Sequence, residues 1–491
     1  MTGLLVIPPL TALILLALWR RPRLQAAVSL AGMLALLGAA AHLLLEVAPG
    51  GILVWAVGGW PAPLGIVLVA DRLAAALVVV STLVGVACVL AARSPHDDPA
   101  RHPAWHPLVH LLMWGVCGAF CTGDLFNLFV WFEVMLMSSF TLIALGGGRE
   151  RLEGAVKYVA MNLVSSVLFL CGCGILYGVC GTLNMADLAR IISAADTPPA
   201  VQAAGGCLLA AFLLKSAAFP LFAWLPASYH TAAPATVALF SALLTKVGIY
   251  AVLRLTVTIM PLSGTLLQPT LLWVALATMA VGVLGAATQM ELKRILSFHI
   301  ISQVGYMLLS IAIGGATALA AAVFYLIHHI LVKSNLFLIV GLAAAHGGAE
   351  DVRRLGGLRR FPLLYAGFLI SAASLAGIPP LSGFFAKLAT VRAAAEAGQW
   401  VAVAVALAVG FLTLYSMVKI HREAFAKEAP AAPARGPLVG AGWATAAVLV
   451  LATGTVLIGL GAGPLWRWSL AVGNELAART PYIDAVLKAT P

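Results

Sequence analysis

Apolar runs of about 20 residues follow one another along the whole chain, and short polar connections separate them. A run of this length can cross a bilayer as an α-helix, whereas a transmembrane β-barrel requires shorter segments of alternating apolar and polar residues, which this sequence lacks. The pattern therefore predicts an all-α polytopic membrane protein with about 14 transmembrane helices. The predicted spans are 3–19, 25–46, 64–92, 106–122, 124–146, 155–180, 200–228, 233–258, 267–290, 295–314, 317–345, 362–392, 399–423 and 437–461.

The composition agrees with this interpretation. Of the 491 residues, 62% are hydrophobic and only 10% are charged, whereas charged residues make up roughly a quarter of a soluble domain. No polar connection is long enough to form a soluble domain, so we expect a single membrane domain over residues 1–491. The first apolar run lacks a preceding basic segment and a following cleavage site, which favours a retained span over a signal peptide.

The sequence shows none of the usual signs of a catalytic or cofactor site. Its seven cysteines lie inside apolar runs without the spacing of metal ligands, so we interpret them as small apolar side chains and expect no metal and no cofactor. It also lacks a phosphate-binding loop, a G-x-G-x-x-G dinucleotide loop and an H-E-x-x-H motif. We therefore expect that the chain is not an enzyme by itself and that any redox chemistry belongs to another subunit.

The net charge of +11 is distributed unevenly along the chain. Connections after odd-numbered spans are rich in lysine and arginine, whereas few basic residues, among them Arg72, Arg190, Arg254 and Arg392, lie in or near the even-numbered connections. By the positive-inside rule the odd connections are cytoplasmic and both termini lie outside. The charge is thus mainly a topology signal and does not indicate nucleic-acid binding. The basic residues of the odd connections are Arg20, Arg21, Arg23, Arg93, Arg101, Arg149, Arg151, Lys157, Lys293, Arg294, Arg353, Arg354, Arg359, Arg360, Lys419, Arg422, Lys427 and Arg435.

Prolines interrupt two of the predicted spans. Pro220 and Pro226 lie in span 7, and Pro379 and Pro380 lie in span 12. A proline removes a backbone donor, and in lipid the freed groups must be satisfied by protein or water. Because span 12 follows span 7 at an offset of five, an odd number, the two breaks predict two inverted five-helix repeats around an ion path, although ordinary proline kinks are the alternative. The predicted repeats are 106–258 (helices 4–8) and 267–423 (helices 9–13).

Several charged side chains fall within predicted spans, where each costs roughly 2.5–3.5 kcal/mol near mid-membrane on insertion scales. Such groups must be paired or hydrated, and a function must account for them. Proton transfer supplies one, because burial disfavours the charged form of a lysine and a nearby carboxylate restores it. The residues are Glu133 in span 5, Lys215 in span 7, Lys246 in span 8, Lys333 in span 11 and Lys387 in span 12.

We predict that Glu133 modulates Lys215 and that Lys246, Lys333 and Lys387 continue a proton path. Each residue has a structural alternative. Glu133 and Lys215 could form a static ion pair, and Lys246 could be merely structural. Lys333 could extend to the membrane surface, and Lys387 could sit near carbonyl groups freed by the helix break.

Other polar residues could complete the path. His328 and His329 are adjacent and point about 100° apart on a helix, so we expect at most one of them to face it. Asp124 is alternatively a helix N-cap, as is Asp71. The secondary candidates are His299, Ser302, Gln303, His230 and Asp124, and the first three could hold water together with Tyr306.

Three stretches resemble the antiporter-like membrane subunits that respiratory complex I shares with the multisubunit Mrp cation/proton antiporters. "KSAAFPLFAWLPASYHTAAP", "SFHIISQVGYM" and "LAGIPPLSGFFAK" are similar to that family's broken seventh, tenth and broken twelfth helices. The stretches "DLFNLFVWFEVMLMSSF", "LLTKVGIYAVLR" and "IHHILVKSNLF" are more similar to the Mrp versions of helices 5, 8 and 11. The resemblance covers nearly the whole chain, although the first two and last two spans match only loosely.

The resemblance implies a hetero-oligomeric complex of membrane subunits in a prokaryotic cytoplasmic membrane. Such a complex exchanges cytoplasmic Na⁺, K⁺ or another monovalent cation for external H⁺, with Glu133, Lys215, Lys246 and Lys387 on the proton path. The alternative is a proton-pumping subunit of a complex I-like NADH:quinone oxidoreductase or membrane-bound hydrogenase. The buried lysines suit both functions equally, although some complex I relatives carry a glutamate where this chain has Lys387.

Overall fold

The computed structural model describes residues 1–94, 102–194, 198–261, 265–428 and 441–488. Arg101, Arg435 and the first residues of the predicted last span (437–440) lie outside them. The described residues are mostly α-helical, which confirms the prediction of an all-helical protein. Ten described helices are long and apolar enough to cross a membrane, and four shorter apolar helices (2–17, 105–121, 199–215 and 362–376) occupy further predicted spans.

The nineteen α-helices of the described ranges follow in chain order. They are α1 Thr2–Ala17, α2 Pro22–Val47, α3 Arg72–Ala91, α4 Trp105–Cys121, α5 Leu125–Ala144, α6 Arg149–Cys180, α7 Met185–Ala194, α8 Pro199–Lys215, α9 Trp224–Ser228, α10 Pro234–Leu253, α11 Leu267–Thr288, α12 Leu292–Ile313, α13 Gly315–Gly347, α14 Pro362–Ala376, α15 Ser382–Glu396, α16 Trp400–Ile420, α17 Ala441–Leu460, α18 Ala462–Ala478 and α19 Thr480–Leu487. π-Helical segments continue α10 over Arg254–Ile259 and α16 over His421–Ala426.

A small β-hairpin precedes α3. Strands β1 (Leu53–Ala56) and β2 (Val67–Ala70) pair antiparallel, with Leu53 opposite Ala70. The prediction of a single span over residues 64–92 is therefore wrong, because the apolar strand β2 runs directly into the apolar helix. Asp71 separates the two elements: its carboxylate accepts a hydrogen bond of 2.8 Å from the Ala74 N–H and caps α3, as the N-cap alternative predicted.

The long helix α13 is the centre of the bundle. It spans about 50 Å at the usual rise per residue and packs against α3, α10, α12, α14, α15, α17 and α18. Helices α10 and α12 are even more deeply enclosed, with 100% and 94% of their most apolar segments buried compared with 83% for α13. A helix surrounded by other helices needs no polar outer face, so its few polar side chains point into protein. The predicted path residues of α10, α12 and α13 therefore meet inside the bundle.

Both predicted helix breaks are present. The first interval runs from the end of α8 at Lys215 to the start of α9 at Trp224, and the second separates α14 from Ser382. Protein groups satisfy the freed backbone: Phe219 N–H donates to Thr278 Oγ1 at 2.9 Å. Pro220, Pro379 and Pro380 lie in these intervals, whereas Pro226 lies in the first turn of α9, a position that tolerates proline.

Close packing of α11 on α12 depends on glycine. A Cβ atom on Gly282 would lie 2.3 Å from the backbone N of Ser302, and one on Gly305 would lie 2.7 Å from the carbonyl O of Ala275. Small residues at helix interfaces in membranes allow such backbone approach. The two helices could not accommodate larger residues here without moving apart.

We expect Gly282→Ala and Gly305→Ala each to destabilise the protein by about 1–3 kcal/mol, the usual cost of overpacking. Gly174→Ala is the matched control, because a Cβ atom there meets no atom within 4 Å. The measurement is the Tm of the detergent-solubilised protein. A Tm for the two interface variants equal to that of the control would contradict the packing argument.

Candidate functional site

Four lysines of the predicted path are buried inside the bundle. Lys215 ends α8, Lys246 lies in α10, Lys333 in α13 and Lys387 in α15. Lys246 and Lys333 have no exposed surface. Lys333 therefore does not extend to the membrane surface, which removes that alternative.

Glu133 and Lys215 are near each other without touching. Their charges interact through space, yet within the described ranges they form no ion pair at 4.0 Å or less. Glu133 Oε1 accepts a hydrogen bond of 2.5 Å from Ser166 Oγ. A cavity of about 20 Å³ lies beside Lys215, which is enough for one water molecule. The geometry suits a contact through water better than a static ion pair.

Lys246 and Lys333 form a second close group. Lys246 Nζ donates to Ser241 O and to Thr245 Oγ1, and Lys333 Nζ donates to Leu296 O at 3.1 Å. The two ammonium groups are close enough to repel each other. In the described parts of the chain no carboxylate pairs with either lysine.

The two adjacent histidines both reach the lysines. His329 is close enough to interact with Lys246 and Lys333, while His328 interacts with Lys387. His328 Nδ1 lies 2.8 Å from Ser382 Oγ at the start of α15. Their different directions on the helix bring the two histidines near different lysines.

His299 links these groups. Both of its ring nitrogens are buried without a hydrogen-bond partner in the residues described, and Lys333 and Lys387 are close enough to interact with it. An unpartnered buried imidazole is costly, so this histidine is suited to bind a water molecule through its ring nitrogens.

The remaining secondary candidates on α12 are Ser302 and Gln303. Tyr325 OH donates to Gln303 Oε1 at 2.5 Å, and Gln303 Nε2 lies 3.3 Å from Ser302 Oγ. The ring of Tyr306 stacks on that of Tyr325 with centroids 5.4 Å apart. Lys387 Nζ lies 5.5 Å from the centre of the Tyr306 ring and donates to Ala376 O at 3.0 Å.

Two candidates lie elsewhere. Asp124 caps α5 by accepting a hydrogen bond of 2.8 Å from the Asn127 N–H, as its alternative predicted. His230 lies between α9 and α10, where Nδ1 is 2.9 Å from Pro226 O and Nε2 is 3.0 Å from an Arg294 nitrogen. Because a carbonyl and a guanidinium impose opposite roles, His230 is neutral with its proton on Nδ1.

His230 also borders a large cavity. It has a volume of about 560 Å³, and its wall includes Glu150, Glu153, Lys157 and Arg294. The last two belong to connections that the charge pattern assigns to the cytoplasm. The cavity therefore lies at the predicted cytoplasmic end of the first broken helix.

A buried ion pair at the opposite end of α10 was not predicted from the sequence. Arg254 was expected near a connection, but it is 2% exposed and lies 2.5 Å from Asp71 Oδ2. Its Nε donates to Tyr250 OH at 2.9 Å, and its guanidinium also faces the Tyr482 ring. The spacing of Lys246, Tyr250 and Arg254, four residues apart, places them on one helix face and could have revealed this arrangement.

Comparison with known proteins identifies related membrane subunits. The family model described as "NADH:quinone oxidoreductase/Mrp antiporter, TM" matches residues 122–413. A Na(+)/H(+) antiporter subunit of Alkalihalophilus pseudofirmus is 41% identical over 99% of this chain and 98% of its own length, and one of Bacillus subtilis is 36% identical over the same shares. An NADH-quinone oxidoreductase subunit of Desulforudis audaxviator is 36% identical over 77% of this chain and 76% of its own length.

Two solved structures are similar to this chain over nearly its whole length. A chain of the Mrp complex from Dietzia sp. superposes with a TM-score of 0.91 at 35% identity, covering 98% of both chains. A chain of an archaeal membrane-bound sulfane sulfur reductase superposes with a TM-score of 0.90 at 28% identity, covering 99% of both.

Asp71→Asn should destabilise the protein by about 3–5 kcal/mol, because it leaves Arg254 buried without its counter-charge. The double variant Asp71→Asn/Arg254→Met should recover part of this loss. Asp484→Asn is the matched control, since Asp484 and its partner Lys488 are 49% and 76% exposed and a surface pair contributes about 0–1 kcal/mol. The Tm of detergent-solubilised variants measures the effect, and a double variant less stable than Asp71→Asn would argue against it.

Burial, and after it the guanidinium of Arg294, lowers the pKa of His230. As the pH falls towards the ordinary histidine pKa of about 6.5, the His230 imidazole takes up a proton in the unfolded chain, whereas it stays neutral in the folded chain. Stability from this group is complete above that pH and falls as the pH drops below it. The Tm of the wild type should decrease more steeply on acidification than that of His230→Gln, which keeps an acceptor for Arg294 but does not titrate. Parallel Tm curves would show that His230 does not titrate in this way.

Proposed function

Because this chain belongs to the NADH:quinone oxidoreductase/Mrp antiporter transmembrane family, we propose that it is the proton-translocating subunit of a multisubunit cation/proton antiporter. The complex exchanges cytoplasmic Na⁺, or another monovalent cation, for external H⁺ across a bacterial cytoplasmic membrane. Its partners are the other membrane subunits of a hetero-oligomeric complex. The chain is a transporter subunit rather than an enzyme.

The observation behind this proposal is a row of buried lysine and histidine side chains that have no acidic partners among the described residues. Lys246 and Lys333 repel each other, so protonation of one favours release from the other. His329 lies beside both, and His299 connects Lys333 with Lys387. A proton that enters at one end can thus advance by displacing the next one.

Glu133 acts at the end of this row nearest the predicted cytoplasmic cavity. With its carboxylate ionised, it stabilises the charged form of Lys215. When the carboxylate moves away from Lys215 or loses its charge, that support is lost and the lysine can give up its proton. The water-sized space beside Lys215 permits this exchange, which a direct ion pair would oppose.

The proposal includes a topology. The ten long helices and four shorter apolar ones form about fourteen spans, with both termini outside. Helices 4–8 (106–258) and 9–13 (267–423) form two inverted repeats. The positions of Lys215 and Lys387 support this proposal, since each lies at a helix break. The repeats then carry corresponding lysines towards opposite sides of the membrane.

A second candidate is the proton-pumping subunit of a redox complex. The NADH-quinone oxidoreductase relative and the likeness to the sulfane sulfur reductase chain favour it. The antiporter relatives are nevertheless similar over nearly the whole chain, whereas the similarity to the oxidoreductase relative covers 77% of it. Purification of the chain with its native partners separates the two candidates: partners that hold flavin or iron–sulfur clusters would favour the redox complex.

Glu133→Ala should abolish Na⁺-dependent proton flux, because Lys215 loses the group that modulates it. The assay follows a pH-sensitive fluorescent dye in everted vesicles from antiporter-deficient cells that express the complete complex. Glu396→Gln is the control, since its carboxylate is 48% exposed and pairs with Arg392 at the surface.

Wild-type flux in Glu133→Ala would refute the assigned role. Failure of both Glu133→Ala and Glu133→Gln to assemble with the other subunits would instead indicate a structural role for this carboxylate.

A further inference from the structure

Two cavities lie on either side of the aromatic pair that Tyr158 and Trp224 form. The outer cavity, of about 560 Å³, is lined by Gly154 of α6 and by Ala223 of the first helix break. The inner cavity, of about 20 Å³, is lined by Lys215, Tyr158 and Trp224. Tyr158 is one helical turn beyond Gly154, and Trp224 directly follows Ala223. The same two elements therefore pass from the outer cavity to the inner one at these aromatic residues.

The aromatic pair closes the passage between the cavities. The rings of Tyr158 and Trp224 meet edge to face, with centroids 5.5 Å apart, and both side chains are at most 3% exposed. Such a contact is favourable beyond the area that it buries. The two buried rings thus lie on the short route between Lys215 and the outer cavity.

Hydrogen bonds attach the two rings to the helices that carry Glu133 and Lys215. Tyr158 OH is 2.7 Å from Ser139 Oγ on α5, the helix of Glu133. Trp224 Nε1 donates to Leu214 O at 3.0 Å, one residue before Lys215. A shift of the broken helix at Lys215 would therefore move the indole, and a shift of α5 would move the phenol. The contact is coupled mechanically to both members of the Glu133–Lys215 pair.

We propose that Tyr158 and Trp224 form a gate between a predicted cytoplasmic vestibule and the Glu133–Lys215 pair, and that this gate admits protons through water but excludes hydrated cations. The inner cavity holds about one water molecule, whereas a hydrated cation carries several. This inference rests on the proposed function and adds that the cation does not follow this route. Residues of the outer wall such as Glu150 and Arg294 remain in contact with bulk water.

Accessibility of introduced cysteines tests the gate in the assembled complex. Leu244→Cys places a thiol in the inner cavity, and Ala223→Cys places one in the outer cavity. A small cationic methanethiosulfonate is added to everted and to right-side-out vesicles, and labelling is read at each site by mass spectrometry. Ala223→Cys identifies the side from which the reagent enters, so an error in the predicted topology does not obscure the result.

With the aromatic pair intact, Leu244→Cys should stay unlabelled while Ala223→Cys reacts. Adding Trp224→Ala should accelerate labelling at position 244 at least about tenfold, which corresponds to loss of a barrier of about 1.4 kcal/mol. Tyr158→Ala should act in the same direction. Trp224→Phe keeps an aromatic ring and should leave position 244 protected.

Equal labelling of the two positions in the intact background would overturn the gate. So would protection of position 244 in both alanine variants while position 223 still reacts. These readouts require no antiport, so a complex that shows the expected labelling but no Na⁺-dependent proton flux would refute the proposed function and leave the gate standing.

Discussion

Burial of positively charged side chains without acidic partners is the constraint on which the rest of the structure depends. In the parts of the chain described, no carboxylate pairs with Lys246, Lys333 or Lys387. An uncompensated charge in such a place is costly, yet each amine donates to a backbone carbonyl. A carbonyl accepts a hydrogen bond from a neutral amine as well as from a charged one, although the bond from the neutral amine is weaker. The lysines can therefore lose a proton while the amine and the carbonyl remain hydrogen-bonded to each other.

The helix breaks provide backbone carbonyl groups that can accept hydrogen bonds from the lysines. In an uninterrupted helix, Ala376 O would accept the N–H of residue 380, but Pro380 has none. Lys387, from the following helix, donates to that carbonyl instead. Pro220 likewise removes the donor that would satisfy Ser216, immediately after Lys215. Each break thus creates an acceptor, or exposes backbone, next to a lysine, which explains why proline and lysine occur together in both intervals.

Sequence alone predicted the fold class, the breaks and the buried lysines, because apolar length, proline chemistry and charge in lipid are local properties. It failed where a side chain's role depends on a distant partner. Arg254 was placed near a connection because nothing nearby in sequence marks Asp71 as its counter-charge. The sequence also could not show that His328 and His329 lie near different lysines, because helical geometry gives their directions but not the neighbours that surround them. The strand β2 was assigned to a span because an apolar strand and an apolar helix share one composition.

The anchoring of α10 constrains how the central lysine can work. Lys246 shares a helix face with Tyr250 and Arg254, and the last residue is held by Asp71 and by two tyrosine rings. A buried ion pair of this kind resists displacement, because separating its members leaves both charges unsatisfied. A helix fixed in this way does not carry its lysine from one side of the membrane to the other. Proton transfer past Lys246 then depends on rotation of side chains and on water, and the larger movements fall to the broken segments, whose backbone is already irregular.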